Sequence, residues 1–442
     1  MVSKFKQTDI GLIPEDWDCL CLVDPQVGYI VNGLTYKPEN VKRHGTLILR
    51  SANIKNGRLS FDDNVYVNCA IPHNLLVRKN DVLICVRNGS RALIGKSALI
   101  KQDLPVTFGA FMSVLRGNLG EYTYFLFSSN IIQKQINVNC SATINQITKR
   151  DFKSFYIPLP RSSSEQKAIA EALSDIDQLI SATEKLIAKK QDIKKGLIQE
   201  LLTGKRRIGI KCLSPFKSSE LGDIPADWRV LKIGDTFRFL TNNTYSRSAM
   251  NSDGGTHRNI HYGDILTRYN EIVDCTYDEL PFLNSDIKVR ENALLHTGDI
   301  IFADTAEDET VGKAIELLNV DNRAICAGLH TVALRPHEDI FANGFLGYFL
   351  NSEAFHSSLL PYVTGIKVSS ISKTTIKNSL VLCPPKEEQA AIANALRDID
   401  QDIFSQKSKL HKLHALKAGM MSELLTGRIR LREVTETGEL NE

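Results

Sequence analysis

The stretch EQKAIAEALSDIDQLI at 165–180 is repeated at 388–403 as EQAAIANALRDIDQDI. The match continues without a gap to ELLTG at 200–204 and 423–427. In all, 20 of the 40 positions from 165 to 204 are identical to their partners. A repeat at a fixed offset indicates that one structural unit is used more than once. The sequence therefore predicts a protein of two related halves.

The repeated stretch has the composition of one long helix in each copy. Residues 165–203 contain no Pro and a single Gly, Gly196. Gly204 and Gly427 follow the last apolar residues, where a left-handed C-cap is common. At roughly 1.5 Å per residue, each helix would be about 60 Å long.

The start of the first helix carries an N-terminal signal. Ser162 stands three residues before Glu165, which is a capping-box pattern. Ser163 with Gln166 is the alternative box, and the spacing alone does not choose between them.

A 4-3 spacing of mostly apolar residues runs along both helices, which predicts a coiled-coil seam. Thr183 and Gln406 are polar at the same place in both copies, as are Lys194 and Lys417; these positions fix the register or, alternatively, mark frayed or exposed helix ends. The apolar seam positions are Ile169, Leu173, Ile176, Ile180, Ile187, Leu197, Leu201, Ile392, Leu396, Ile399, Ile403, Leu410, Leu413, Met420 and Leu424. If the helices pack antiparallel, they separate two domains and act as a spacer of defined length.

Upstream of each helix stands a second, shorter match. TDIGLIPEDWDCL at 8–20 matches SELGDIPADWRVL at 219–231, and these stretches hold the only two tryptophans of the protein. Between the anchors the copies are much less alike, and the second copy is 12 residues longer. Duplication alone enlarges a protein without explaining why one part stayed similar while the other diverged. Two different targets presented on one shared frame explain it.

The variable stretches read as short strands, turns and a few helices. VRKNDVLICV at 77–86 and LHTGDIIFAD at 295–304 run apolar after an Asp turn, as strands do. We therefore predict an α+β protein with two pseudo-symmetric target-recognition domains separated by two long antiparallel coiled-coil helices. The predicted boundaries are 1–160 for domain 1, 161–208 for the central helix, 209–384 for domain 2, 385–430 for the C-terminal helix and 431–442 for a polar tail.

Composition limits the class of protein. The 442 residues are 43% hydrophobic and 24% charged, which is typical of a globular protein. The net charge of +3 is close to neutral, so charge alone does not indicate a nucleic-acid-binding protein. No apolar run reaches membrane-spanning length, and the start lacks the apolar core of a signal peptide. The nine scattered cysteines favour neither disulfides nor a zinc site, so a reducing cytoplasm is expected.

Sequence motifs for catalysis are not found. Gly95-Lys96-Ser97 resembles the end of a phosphate-binding loop, but Gly89 lies one residue too far away and the second copy has Gly312-Lys313-Ala314. A strand turn is the better interpretation. The Asn/Asp-Pro-Pro-aromatic motif of amine methylation is missing, and the i, i+3 pair His411 and His414 suits a helix surface better than a metal site.

The ordered set of motifs resembles a known family. Paired I-P-x-D-W segments, a P-L-P-x-x-x-E-Q-x-x-I-A entry into the helix and an E-L-L-T-G exit look like the specificity subunit of type I restriction–modification systems. The resemblance spans essentially the whole chain in both copies. One departure is that the entry reads Pro158-Leu159-Pro160-Arg161 in copy one but Leu382-Cys383-Pro384-Pro385, one residue shorter, in copy two.

The resemblance implies a division of labour. Each variable domain would read one half of a split double-stranded DNA target, and the helices would set the gap. Two modification (methyltransferase) subunits would dock on the helices and domains, and restriction subunits would join them. S-adenosylmethionine, ATP and Mg would belong to those partners, so this chain would carry no cofactor, no metal and no catalytic residue.

Base reading needs polar and cationic side chains on exposed loops. In copy one the candidates are Arg50, Asn53, Lys55, Arg87, Asn88, Ser90, Arg91, Ser141, Thr143, Asn145, Gln146 and Lys149. In copy two they are Arg258, Asn259, His261, Tyr262, Asp304, Thr305, Lys367, Ser369, Ser370 and Lys373. Each of them could instead be an ordinary solvated loop residue.

Several basic residues have structural alternatives. Arg50 and Asn53 could cap local turns, and Arg116 matches Arg335 across the copies, which favours a structural role. The run 205–207, Lys-Arg-Arg, could touch phosphate or a partner subunit, or be a solvated helix end.

Two other functions compete with DNA specificity. One is a protein–protein scaffold with duplicated binding domains, which a neighbouring gene with an Asn-Pro-Pro-aromatic motif would argue against. The other is a self-contained restriction–methylation enzyme, which the missing motifs already disfavour.

Overall fold

The computed structural model describes residues 4–139, 145–210, 214–365 and 367–431. The chain forms two compact units. Unit 1 combines the chain up to Glu184 with the chain from Ser408 onward, and unit 2 is Lys185–Lys407. Each unit therefore holds one variable stretch together with parts of both repeated stretches.

Unit 1 is built from short strands and three short helices, followed by the first long helix. Its strands are β1 Phe5–Thr8, β2 Gly11–Pro14, β3 Trp17–Cys21, β4 Tyr29–Asn32, β5 Val41–Lys42, β6 Thr46–Leu49, β7 Ile54–Lys55, β8 Arg58–Leu59, β9 Val65–Val67, β10 Val82–Cys85, β11 Ser97–Leu99, β12 Thr107–Phe108, β13 Met112–Arg116 and β14 Tyr156–Pro160. Its helices are α1 Gly120–Ser128, α2 Asn130–Asn139, α3 Lys149–Ser154 and α4 Ser163–Leu201, the last of which continues into unit 2.

Unit 2 repeats this plan with additions. Its strands are β15 Phe216–Lys217, β16 Ile224–Pro225, β17 Arg229–Lys232, β18 Phe237–Phe239, β19 Met250–Asn251, β20 Arg258–Ile260, β21 Ile272–Asp274, β22 Phe282–Leu283, β23 Ile300–Ala303, β24 Thr305–Ala306, β25 Ala314–Leu318, β26 Ile325–Ala327, β27 Thr331–Pro336, β28 Ser369–Ser370 and β29 Leu380–Cys383. Its helices are α5 Ile233–Thr236, α6 Tyr262–Thr267, α7 Phe345–Leu350, α8 Glu353–Leu359, α9 Lys373–Asn378 and α10 Lys386–Leu424, the last of which continues into unit 1.

Equivalent strands form the main sheet of each unit. The order is β11-β10-β13-β4 in unit 1 and β18-β27-β23-β25-β21 in unit 2. The two predicted strands, β10 and β23, are central and buried at every residue, which explains their unbroken apolar runs. Cys85 lies opposite Met112, and Ala303 lies opposite Thr331, so the registers correspond. The predicted α+β class with two related domains and two long helices is confirmed.

In each main sheet an ion pair joins an arginine of β13 or β27 to the aspartate that closes the turn before the central strand. Arg116 donates two hydrogen bonds to Asp81 (2.8 and 2.7 Å), and Arg335 donates two to Asp299 (both 2.6 Å). The structural role expected for both arginines is therefore correct.

In unit 1, residues 163–184 of α4 pack antiparallel against residues 408–424 of α10. Ile169 and Leu173 share a core with Leu424 near one end, whereas Ile176 and Ile180 contact Leu413 further along. Lys417 pairs with Asp177 across the seam at 2.6 Å. The polar position Thr183 is buried, and its hydroxyl donates to the Leu179 carbonyl at 2.8 Å within the same helix.

In unit 2, residues 185–201 of α4 and 386–407 of α10 are also antiparallel. Lys190 pairs with Asp402, and Lys194 lies 2.8 Å from Asp400 and 3.0 Å from Glu271. Leu201, Ile392 and Leu396 belong to the same apolar core. The seam lysines Lys194 and Lys417 are thus not frayed ends, because each one pairs with a carboxylate of the other helix.

Trp cluster 1, formed by Asp16, Trp17, Glu165 and Arg430, ties three segments of unit 1 together. The Trp17 Nε1–H donates to Glu165 at 3.2 Å, and Arg430 donates to the same carboxylate at 2.8 Å and to Asp16 at 3.0 Å. The guanidinium lies 5.6 Å from the centre of the Trp17 ring. Hydrogen bonding to Arg430 lowers the pKa of Asp16.

At the start of the first long helix, Ser162 Oγ accepts the Glu165 N–H at 3.3 Å. The predicted capping box is nevertheless incomplete, because the Glu165 carboxylate binds Trp17 and Arg430.

Trp cluster 2, formed by Asp227, Trp228, Glu388 and Arg207, repeats this arrangement in unit 2. Trp228 donates to Glu388 at 2.9 Å, and Arg207 donates to Glu388 at 2.7 Å and to Asp227 at 2.8 Å. The Arg207 side chain is only 4% exposed, so it is not the solvated or phosphate-binding residue that the basic run at 205–207 suggested. Hydrogen bonding to Arg207 lowers the pKa of Asp227.

A glycine ends each long helix beside its Trp cluster, as predicted. Gly204 has a φ of +70° and Gly427 a φ of +69°, the left-handed conformation of a C-cap. A Cβ on Gly204 would lie 2.4 Å from the ring of Pro225, and a Cβ on Gly427 would lie 2.4 Å from that of Pro14. Both glycines are therefore required by close approach as well as by conformation.

Candidate nucleic-acid interface

Three separate segments of unit 1 meet directly after β10. The N–H groups of Val86 and Arg87 donate to the Phe111 carbonyl at 3.0 and 3.2 Å. The Ile147 N–H donates to the Val86 carbonyl at 2.8 Å, and Arg87 forms an isolated β-bridge with Gln146. Backbone bonding therefore gathers side chains that are far apart in the sequence.

We call the resulting surface patch 1; it comprises Ser51, Arg87, Asn88, Phe111, Asn145 and Gln146. The exposed Arg87 guanidinium lies 5.2 Å from the ring centre of Phe111, whose side chain is 58% exposed. Asn88 Nδ2 donates to Ser51 Oγ at 3.1 Å, and Asn145 Nδ2 donates to the Gly89 carbonyl at 3.0 Å. The patch thus holds a stacked cation among oriented amides, the side-chain types that read base edges.

The remaining described candidates after β10 in unit 1 are exposed. Ser90 and Arg91 open a short 3-10 helix, and Arg91 donates to the Asn137 carbonyl at 3.2 Å. Lys149 begins α3, whose N-cap is Thr148. Both cations are exposed to solvent. The candidates Ser141 and Thr143 lie outside the described residues.

Unit 2 has the same backbone arrangement after β23. The Asp304 N–H donates to the His330 carbonyl at 3.1 Å, the Ile371 N–H donates to the Asp304 carbonyl at 2.8 Å, and Thr305 pairs with Ser370. By position in the strands, Arg87 corresponds to Thr305 and Phe111 to His330.

We call this surface patch 2; it comprises Tyr262, Asp304, Thr305, His330, Ser369 and Ser370. Thr305 Oγ1 donates to Asp304 at 2.8 Å and lies 3.3 Å from His330 Nδ1. Asp304 is 3.5 Å from the same nitrogen. Tyr262 meets His330 edge-on at 5.3 Å between ring centres, and its ring centre lies 4.6 Å from that of His261 with the two rings tilted by 38°. A polar and aromatic patch therefore occupies the place of the Arg87–Phe111 pair.

Three further cations of unit 2 contact aromatic rings or lie exposed. The Arg258 guanidinium is 4.3 Å from the ring centre of Phe282 and donates to the Leu280 carbonyl. Lys373, at the start of α9, is 4.9 Å from that of Phe239, whereas Lys367 is exposed.

The structure corrects part of the candidate set. Asn53 is fully buried: it accepts the Arg50 N–H at 2.9 Å and donates to the Ser60 and Asp63 carbonyls, each at 3.0 Å. It therefore holds a turn, which was the stated alternative. Arg50 and Lys55 are exposed in part, but they pair with Asp63 and Asp62 at 2.8 and 2.7 Å.

The corresponding segment of unit 2 needs the same correction. Asn259 is fully buried against Met250 and Cys326. His261 is 7% exposed, its Nδ1 accepts the Gly263 N–H at 3.2 Å, and burial lowers its pKa. Both residues hold the strand that leads to patch 2, and neither side chain is free to reach DNA.

Phe111 and His330 were missed as candidates from the sequence. Base reading was expected of amides, hydroxyls and cations, so a phenyl ring was not among the candidates. A usable signal was present: GAFMSVLRG at 109–117 aligns with GLHTVALRP at 328–336, and the third residue is aromatic but chemically different in each. His330 also has a φ of +54°, an uncommon left-handed conformation for a non-glycine residue.

Within residues 4–139, 145–210, 214–365 and 367–431, no group of three or more His, Cys, Asp or Glu side chains is placed to hold a metal ion. None of the helices described there is long and apolar enough to cross a membrane.

Two α+β units on a repeated frame, each with its own polar patch, define a protein with duplicated recognition domains. The model of the type I restriction modification DNA specificity domain matches residues 14–194 and 225–414. Because these matches cover most of the chain, the protein belongs to that family.

Curated relatives match over most of their length. The putative type I restriction enzyme MjaX specificity subunit of Methanocaldococcus jannaschii is 28% identical, over 97% of both chains. The type I restriction enzyme EcoKI specificity subunit of Escherichia coli is 25% identical, over 88% of this chain and 83% of its own.

Solved structures show the same fold. The type I restriction–modification S subunit from M. genitalium matches with a TM-score of 0.55 at 14% identity, covering 96% of this chain and 99% of its own. A chain from work on complex assembly and conformational transition of the type I R-M system has a TM-score of 0.54 at 18% identity, covering 94% and 99%.

Proposed function

We propose that this chain is the DNA-specificity subunit of a type I restriction–modification complex, with one unit reading each half of a split target. The observation that carries the proposal is that the two units repeat the same supporting residues but present different patches. Trp clusters 1 and 2 contain the same four residue types, whereas patches 1 and 2 differ in chemistry on equivalent backbone. A protein that reads two different half-sites needs that combination.

The activities belong to partners in this proposal. Methyltransferase subunits would bring S-adenosylmethionine and the methylation motif, and restriction subunits would use ATP and Mg. The chain itself would contribute recognition and assembly. Labelled methyl transfer by this chain alone, without a second subunit, would contradict this division.

The long helices offer a surface for those partners. In unit 2, Leu186 and Ile193 of α4 are 39% and 43% exposed, and Phe404 of α10 is 74% exposed. In unit 1, Leu179 and Leu416 are 42% and 53% exposed. Apolar side chains on the outside of a paired helix favour a further helix packing there. We place the methyltransferase subunits on these faces, and Phe404→Glu should reduce their co-purification with the chain.

The test of the proposal is the methylated motif. Genomic DNA from strains with and without this gene, both carrying the methyltransferase gene, is sequenced with single-molecule detection of modified adenine. We expect one motif of two short halves separated by a fixed gap, present only with this gene. An unsplit motif, or one that persists without the gene, would contradict the proposal. If the chain is instead a protein scaffold, no motif depends on it.

A further inference from the structure

The residue at the turn before β13 and before β27 has a defined chemical partner in each unit. In patch 1 the turn residue Phe111 lies under the Arg87 guanidinium. In patch 2 the turn residue His330 contacts the Thr305 hydroxyl. Because the backbone bonds around both pairs correspond, the two pairs occupy equivalent positions in the two units and differ only in their side chains.

We propose that these pairs, Arg87–Phe111 and Thr305–His330, determine which base each unit selects at one equivalent position of its half-site. The inference rests on the proposed function and adds two specificity-determining residues, Phe111 and His330. It also assigns a class of base to each pair.

The Arg87–Phe111 pair fits guanine. An arginine against an aromatic face is restricted by the cation–π contact, which leaves its planar row of N–H donors directed away from the ring. Guanine presents two acceptors, O6 and N7, in the major groove, and a bidentate arginine is the common contact to them. Phe111 is the positioning residue, because its ring holds the guanidinium in place.

The Thr305–His330 pair fits a base with an exocyclic amine. Thr305 Oγ1 donates its hydrogen to Asp304 at 2.8 Å, so the same oxygen accepts from His330 Nδ1 at 3.3 Å. With its hydrogen on Nδ1, a neutral imidazole has an acceptor at Nε2. Adenine N6 and cytosine N4 are the major-groove donors that such an acceptor can select. The His330 side chain is 47% exposed and so accessible to a base edge.

The test uses the assembled complex of this chain with its methyltransferase subunits and compares methylated motifs. His330→Phe and Thr305→Val should each reduce discrimination at one position of one half-site by about 10- to 100-fold, the size of one base contact. His330→Asn removes the same imidazole without straining the backbone, because asparagine tolerates the left-handed conformation at this turn. Phe111→His should weaken selection of guanine in the other half-site by a similar factor.

The matched controls carry the same substitutions elsewhere. His337→Phe changes an exposed histidine of unit 2, and Phe61→His changes an exposed phenylalanine of unit 1. Both should leave the motif unchanged. The double variant Arg87→Thr with Phe111→His should lose selection of guanine in its half-site, while the other half-site and the gap stay as they were.

The outcomes separate this inference from the proposed function. A split motif that is the same in wild type and in all pair variants would overturn the pairs as determinants while leaving the specificity role intact. A change in both half-sites from one pair would also overturn it. Absence of any gene-dependent motif in the wild-type complex would instead overturn the proposed function.

Discussion

Trp cluster 1 and Trp cluster 2 are built from the same four residue types, whereas patch 1 and patch 2 share almost no side chain. Asp, Trp, Glu and Arg recur in both clusters with the same hydrogen bonds. In the patches, arginine is replaced by threonine and phenylalanine by histidine on equivalent backbone. Side chains that join segments within each unit are thus repeated, whereas those of the patches after β10 and β23 differ between the units.

The largest effect should come from breaking a Trp cluster. Arg207→Ala leaves Glu388, which is fully buried, without its cation. Loss of one partner of a buried ion pair costs about 3–5 kcal/mol, which should lower the unfolding midpoint of unit 2 by roughly 6–20 °C. Differential scanning calorimetry of the full chain measures it.

Two further variants calibrate that result. Arg206→Ala removes a neighbouring arginine that is 58% exposed and should shift the midpoint by less than about 2 °C. Arg430→Ala should act on unit 1 and cost somewhat less, because Arg430 is 21% exposed. Equal, negligible shifts from Arg207→Ala and Arg206→Ala would show that the cluster does not hold the frame.

A buried position of the main sheet is a carboxyl group in unit 2 and a leucine in unit 1. Glu316 in β25 is 1% exposed and accepts the N–H groups of Gly344 and Gly347 at 2.6 and 2.8 Å, and Leu99 occupies the equivalent place in β11. Burial raises the pKa of Glu316 from 4.5 to about 7. The folded unit therefore binds a proton that the unfolded chain has released. The resulting stability is complete below pH 4.5 and is lost as the pH rises through 7, by at most about 3 kcal/mol.

Urea unfolding at pH 5 and pH 8 tests this difference between the units. Unit 2 should lose stability between these values, and Glu316→Gln should remove most of the loss because it no longer titrates. The exchange rates of the Gly344 and Gly347 amides report on the same contact. A pH dependence that is identical in the wild type and in Glu316→Gln would show that another group is responsible.

Much of the frame could be predicted from the sequence. The repeat at 165–204 predicted the long helices, and the glycines after it predicted where they end. The match between Arg116 and Arg335 predicted a structural role for both, and each binds an aspartate of its own unit. These features depend on local spacing, which a sequence displays directly. The partners of Arg207 and Arg430 could not be predicted, because a carboxylate 181 or 265 residues away is visible only after folding.

The patches were only half predictable for a related reason. Arg87 and Thr305 were chosen as a cationic and a polar residue on expected exposed loops, but Phe111 and His330 reach them only through antiparallel pairing of β10 with β13 and of β23 with β27. Asn53 and Asn259 fitted the expected residue types and are buried. Residue type alone does not tell an amide that reads DNA from one that closes a turn.

A smaller loss of stability is expected from replacing the seam lysines, and it should differ between Lys194 and Lys417. Lys194 is 15% exposed and pairs with both Glu271 and Asp400, whereas Lys417 is 22% exposed and pairs with Asp177. Lys194→Met leaves two carboxylates without a cation and should cost roughly 1–3 kcal/mol, against about 1 kcal/mol for Lys417→Met. Urea midpoints of the two variants measure the difference. A larger loss from Lys417→Met would reverse this assignment.

The smallest change in stability should come from the patches. Arg87→Ala removes an exposed side chain and should alter the free energy of unfolding by less than about 0.5 kcal/mol. Asn53→Ala is the matched contrast: it removes a buried amide with three backbone hydrogen bonds and should cost about 1–3 kcal/mol. If Arg87→Ala were as destabilising as Asn53→Ala, patch 1 would belong to the frame, and the separation between repeated support and divergent recognition would fail in unit 1. If only Asn53→Ala destabilises while only Arg87→Ala weakens binding to DNA, the two functions are carried by different side chains of the same unit.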